Sequence, residues 1–150
     1  MKTAVIVDSV RTGLAKSHRG GFNITRADDM LAHIINGMLE RNPNLPPEMV
    51  EDVIMGCGNP EGSMGHNIGR NAAVLSNLPI TTGGTTVNRY CSSGLQTVSM
   101  AASQIMAGCY DTVIAGGAEQ ITMLAGKTNM DGFVNEKLAE SHPGIYHPMG

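Results

Sequence analysis

The sequence predicts an α/β layered fold with a largely parallel sheet. Short β-branched apolar runs alternate with helical segments of ten or more residues. Three of the runs lie close to a glycine and carry little charge, as strands covered on both faces do. Proline, glycine and asparagine clusters punctuate the chain between these segments.

"TAVIVDSV", residues 3–10, reads as the first strand, and "RTGLAKSHRGGFN" as a Gly-rich basic loop. Thr25 is then placed to cap a helix, with Asp28 three residues on in a capping-box position. Met30, Leu31, Ile34, Ile35, Met38 and Leu39 fall on one helical face. Pro43, Pro46 and Pro47 cannot continue a helix interior, so the helix ends before them. "EDVIMGCG" is a second strand, and "HNIGRNAAVLSN" a helix stopped near Pro79. "TTVNRY" is a third strand, "SSGLQTVSMAASQIMAG" a third helix and "DTVIAGG" a fourth strand. Leu95, Val98, Ala102 and Ile105 mark one face of that helix, while Ala101, Ala102 and Ala107 keep the rest small. Residues 119–150 show no strong period and read as a loop region or the start of a subdomain.

The 150 residues suffice for one domain with a core, and a 41% hydrophobic, 15% charged composition is too apolar for disorder. There is no Trp. Eleven Met and nineteen Gly point to a core of aliphatics, Met and closely packed backbone. A net charge of −3 without a Lys/Arg cluster argues against a nucleic-acid surface. No stretch approaches the ~18 apolar residues of a membrane span. The opening apolar run stops at Asp8, which is not the pattern of a secretory signal. Three cysteines, an odd number, point to a reducing compartment: the cytoplasm or an organelle matrix. Cys57, Cys91 and Cys109 lack C-x-x-C spacing, which argues against zinc.

Several motifs dissolve on inspection. "GCGNPEG" follows a strand, but its glycine spacing and Pro60 do not suit a dinucleotide loop. "AGKT" resembles the end of a P-loop, yet Ile121 stands where the first glycine belongs. His142 and His147 lie in a turn-rich loop without carboxylate or Cys ligands nearby in sequence. Cys91 differs, because it sits at or just before the first turn of a helix. Unpaired N–H groups and the positive end of the helix dipole there favour a thiolate. Gly94 lets a substrate or another backbone come close. Cys109, at the far end of the same helix, reads as a small buried hydrophobe.

"VNRYCSSGLQTVSMAA" closely resembles the nucleophile segment of the thiolases, the enzymes that make or cleave 3-ketoacyl-CoA. The resemblance continues in "AVIVDSVRTGLAKSHRGGF", in "EDVIMGCGNPEG" with "NIGRNAAVLSNLP", in "AGGAEQIT" and in "YHPMG". Thiolase openings often carry Pro after "RT", where Gly13 stands here. The family fold has two similar α/β halves, each a five-stranded sheet with helices, and a loop domain inserted in the first. The resemblance thus implies a thiolase-like layered fold comprising the first, incomplete half of the duplicated sheet and the start of the loop domain. Residues 1–118 would form that half and residues 119–150 the beginning of the insertion. The last strand of the first half would lie beyond this chain. So would the second half, with the histidine that activates the nucleophile and the cysteine that acts as base.

The resemblance further implies that Cys91 carries the acyl group and that its backbone N–H faces the oxyanion. His147 and Met149 match a loop-domain segment lining the CoA and acyl site. Asn88 and Arg89 read as fixing the turn, and Glu119 as a buried hydrogen-bonding carboxylate at a strand end. Coenzyme A and acyl-CoA enter as substrates, with no permanently bound cofactor, and the complete protein is expected to be a homodimer or homotetramer. A cysteine suits this chemistry: attack on a thioester exchanges one thioester for another at nearly even free energy, where a serine ester would trap the acyl group. Two other readings share these features. One is a ketoacyl-synthase-type condensing enzyme; the other is a non-catalytic partner or scaffold module.

Overall fold

The structure, a computed structural model, describes residues 2–147. In chain order it contains α1 (Ala27–Arg41), β1 (Asp52–Gly56), α2 (Ile68–Leu75), β2 (Thr85–Val87), α3 (Ser93–Ala107), β3 (Val113–Gly117), α4 (Ile121–Leu124) and α5 (Glu136–Ser141). Single 3-10 turns lie at Pro47–Met49 and Gly62–Met64.

The three strands form one parallel sheet in the order β2-β1-β3. Ile54 pairs with Thr85 on one side and Ala115 on the other, so β1 is the central strand and is buried throughout. Side chains alternate across it. Val53, Met55 and Cys57 point into a core shared with Leu31 and Ile35 of α1 and Ile68, Ala72 and Ala73 of α2. Gly56, on the opposite face, meets the start of α3. The sheet therefore lies between an α1–α2 layer and α3. α1 buries the face its sequence marks, with Leu31 and Ile35 at its centre and Met30, Ile34, Met38 and Leu39 packed around them.

α2 is fastened to β2 by polar side chains. Asn67 Oδ1 caps the helix by accepting from the Arg70 amide at 3.1 Å, and its Nδ2 donates to Gly84 O at 2.8 Å. The Thr86 hydroxyl donates to the same Asn67 oxygen at 2.7 Å.

Three expectations are corrected. Residues 3–10 form no strand: Val5, Ile6 and Val7 are 70%, 81% and 83% exposed. A strand exists only against a partner, and this run has none among the described residues. It is tethered by side chains instead. Lys2 pairs with Asp111, and Asp8 accepts from Arg41 Nη2 and Asn42 Nδ2, both at 2.8 Å. The Asn42 bond, then that from the Ser9 amide, holds the Asp8 carboxyl below its usual range.

The α1 start is also different. Arg26 is the cap residue and no side chain caps the helix. Asp28, 4% exposed, instead accepts from Arg26 Nε at 2.9 Å and Nη2 at 2.8 Å, because a carboxylate so covered needs a charged partner.

The apolar stripe of α3 faces outward, with Leu95 75% and Val98 40% exposed. Its buried residues are the small ones, Ser93, Thr97 and Ala101, which allow close approach to the sheet. Thr97 donates its hydroxyl toward Gly94 O and Gly116 O, at 2.7 and 2.9 Å, joining helix and strand β3. Cys109 is exposed, beyond the left-handed Gly108 that ends α3, and the buried cysteine is Cys57.

Among the described residues no helix is long and apolar enough to cross a membrane. The region after residue 118 carries two short helices, α4 and α5, and no strand among its described residues.

Candidate active site

The chain leaves β2 at Val87 and enters α3 at Ser93, with a tight turn between. Asn88 Oδ1 accepts from the Tyr90 amide at 2.9 Å, an Asx-type closure that bears out the turn-fixing reading of Asn88. Tyr90 has φ +46°, a left-handed conformation rare for a bulky side chain. Arg89 and Cys91 form an isolated bridge, and the Ser92 hydroxyl donates to Arg89 O at 2.9 Å. The Arg89 guanidinium also reaches Gln96 on the first turns of α3. Cys91 stands exposed on this turn, two residues before the helix.

Glycines at two strand ends permit close backbone approach beneath this turn. A Cβ on Gly56 would lie 2.6 Å from the Ser93 carbonyl carbon and 2.7 Å from the Gly94 nitrogen. A Cβ on Gly117 would lie 2.6 Å from Gly56 O. Gly56 must be bare for the start of α3 to rest on the end of β1, and Gly117 for β3 to lie against that same end.

Beyond these ends opens a cleft of about 440 Å³, lined by Tyr90, Cys91, Gly94, Asn59, Glu119 and Ile121 together with strand-end glycine backbone. Its place outside the carboxyl ends of parallel strands is where open α/β sheets bind ligands. Gly94 is open on this side: a Cβ there would meet nothing within 4 Å.

Glu119 shapes the rim. One carboxylate oxygen accepts from the Gly58 amide at 2.6 Å, the other from the Asn59 amide at 3.1 Å. It is thus the hydrogen-bonding carboxylate expected at this strand end, but exposed rather than buried, because it satisfies loop amides at the open end of the sheet. Behind it, the Cys57 sulfur lies 3.7 Å from Met64 Sδ and 4.0 Å from Glu119 Oε1. Burial, with the nearby Glu119 charge adding to it, pushes the Cys57 thiol up to about 11. Cys57 is therefore a neutral packing residue.

Of the residues read as functional, Cys91 lies in the cleft. His147 is exposed, donates its amide to Gly144 O at 3.1 Å and is not among the residues lining the cleft. Met149 lies outside the described residues. Sequence reasoning passed over Gly56, Gly117, Tyr90 and the Ser93 hydroxyl. Glycines closing two apolar runs, in "VIMG" and "VIAGG", were the available signal for the first two. Nothing local marked the others. Among the described residues no group of three or more His, Cys, Asp or Glu could hold a metal ion.

Residues 4–143 match the thiolase N-terminal domain. A 3-ketoacyl-CoA thiolase of Bacillus subtilis (strain 168) is 43% identical over all of this chain and 38% of its own length. One from Aliivibrio salmonicida (strain LFI1238) is 46% identical over 81% of this chain and 31% of its own length. One from Shewanella sp. (strain W3-18-1) shows the same identity and coverage. The chain thus spans about a third of the length of these curated relatives.

Proposed function

The chain belongs to the thiolase family, and on that premise we propose that it takes part in acyl transfer between CoA thioesters through an acyl-cysteine at Cys91. The observation that carries this reading is the place of Cys91. It is exposed on a strained strand-to-helix turn, at a cleft whose floor is glycine backbone.

The Cys91 sulfur, as thiolate, attacks the thioester carbonyl carbon, and the carbonyl oxygen takes the negative charge. We assign the Cys91 backbone N–H to that oxygen. Collapse restores the carbonyl, breaks the bond to the CoA sulfur and leaves the acyl group on Cys91. In condensation, acetyl-CoA then loses a proton from its methyl carbon, and that carbon takes the acyl group from Cys91. In thiolysis, Cys91 instead attacks the 3-keto carbonyl of a 3-ketoacyl-CoA, and the C–C bond to the acetyl-CoA part breaks as that carbon gains a proton. Free CoA, losing its thiol proton, then takes the acyl group from Cys91. The base for this step is assigned to a second half of the protein, outside residues 1–150. Residues 1–118 are read as the first half of the duplicated sheet and residues 119–150 as the start of the loop domain. There, His147 and Met149 are assigned to the CoA and acyl site. A homodimer or homotetramer is the assembly this reading carries.

The test is mass spectrometry of the protein after incubation with acetyl-CoA. One acetyl group on the Cys91 peptide, absent in Cys91→Ser, is the expected result. An unmodified Cys91 in folded protein would favour a non-catalytic partner module.

A further inference from the structure

We propose that Ser93 is a positioning residue for Cys91, holding Tyr90 in its left-handed conformation so that the thiol stays at the cleft. The proposal rests on the acyl-transfer reading of Cys91 and adds to it the device that aims the sulfur.

Tyr90 is the reason such a device is needed. Its φ of +46° puts a bulky residue where side chains crowd the backbone. Tyr90 is 76% exposed, so packing does not hold it there. The backbone must be held by hydrogen bonds instead, and such conformations persist only where the surroundings over-determine them.

Ser93 supplies the bonds on both flanks. Its hydroxyl oxygen accepts from the Arg89 amide at 2.9 Å, and its hydroxyl hydrogen goes to Tyr90 O at 2.6 Å. The Ser93 amide donates to the same carbonyl at 3.0 Å. Ser93 is 4% exposed, so water has little access to replace these bonds. Nor is the hydroxyl serving the helix, since Ser92 is the cap residue and α3 has no side-chain cap bond. Below, Ser93 rests on the bare Gly56, which fixes its height on the sheet. One buried hydroxyl therefore clamps residues 89 and 90, and Cys91 follows directly.

The test uses the intact protein and three readouts. The first is amide exchange in the wild type, where the Arg89 N–H should be protected. An Arg89 amide exchanging as fast as an unstructured one overturns the proposal without any variant. The second is Ser93→Ala. Acylation of Cys91 by acetyl-CoA, which needs an oriented sulfur, should fall roughly 10- to 100-fold. Alkylation by iodoacetamide, which needs only an accessible thiolate, should stay within about twofold. Wild-type acylation, or a parallel fall in both rates, would mean that Ser93 only supports the fold. The third readout is the double variant Ser93→Ala/Tyr90→Gly. Glycine takes a positive φ without strain, so acylation should recover at least part of the loss. No recovery would show that Ser93 does not act through Tyr90. If wild-type Cys91 takes no acyl group at all, the acyl-transfer reading fails. The Arg89 amide, and its deprotection in Ser93→Ala, then still decide whether Ser93 holds the turn.

Discussion

Replacing Gly56 with alanine should damage the cleft more than any other single methyl group added to the strand. The new Cβ would stand 2.6 Å from the Ser93 carbonyl carbon, 2.7 Å from the Gly94 nitrogen and 2.8 Å from Ser93 Cβ. Ordinary contact begins at 3.4 Å, so the start of α3 must retreat by about 0.8 Å. The atoms in the way are mostly backbone and cannot rotate aside. Forcing an added methyl into such a site costs roughly 1–3 kcal/mol. For a chain of this size that is a fall of roughly 2–12 °C in melting temperature. The same retreat carries the turn bearing Cys91, and a displacement near 1 Å at a reacting atom costs about 10²-fold in rate. Gly94→Ala is the control within the same turn. Its Cβ enters open space and replaces a helical glycine, so stability should hold or rise by up to about 1 kcal/mol. Thermal unfolding by circular dichroism and the rate of acyl-Cys91 formation read both effects. Gly56→Ala with wild-type melting and wild-type acylation would refute the close-approach argument and the placement of α3 with it.

Three further outcomes follow from the cysteines and the rim. Cys91→Ser should lose acyl transfer entirely while melting within about 1 kcal/mol of wild type, as an exposed, nearly isosteric change does; turnover at the wild-type rate would exclude the covalent route. Cys57 should resist iodoacetamide at neutral pH, since its thiol is buried and held neutral up to about 11. Its ordinary value is 9.0, so between pH 9 and about 11 the unfolded chain loses this proton while the folded one keeps it, and stability falls as pH rises through that window. Cys57→Ala should flatten this slope in urea titrations; an unchanged slope would remove Cys57 as its source. Glu119→Gln leaves one carbonyl oxygen for the two amides of Gly58 and Asn59, and should cost about 1–2 kcal/mol in the same titrations. An unchanged midpoint would mean that water serves those amides equally well.

Much of this molecule is legible in the sequence because its signals are local. The period of α1, the apolar run of β1 and the asparagine that closes the turn at residues 88–90 act within a few residues of themselves. Cys91 stands out for the same reason, since a strand followed at once by a helix places residue 91 at the turn whatever surrounds it. The family is legible too, because long motifs in order carry more information than any one residue.

What the sequence by itself could not decide were questions with two partners. Residues 3–10 carry every local mark of a strand, yet form none, with Val5, Ile6 and Val7 exposed, because pairing is a property of two segments. The spacing of Leu95, Val98, Ala102 and Ile105 marks an apolar face on α3 without saying which face meets the sheet. The helix presents Ser93, Thr97 and Ala101 to the sheet, because its start rests on the bare Gly56 and leaves no room for larger side chains. That same approach buries Ser93 beside Tyr90, while Cys109 lies exposed beyond the left-handed Gly108 at the other end of the helix. Composition and period fixed which segments are helical and where the thiol falls along the chain. Only the packing of α3 on the ends of β1 and β3 decided which way that thiol is held, because the distance between backbones is set by residues far apart in sequence.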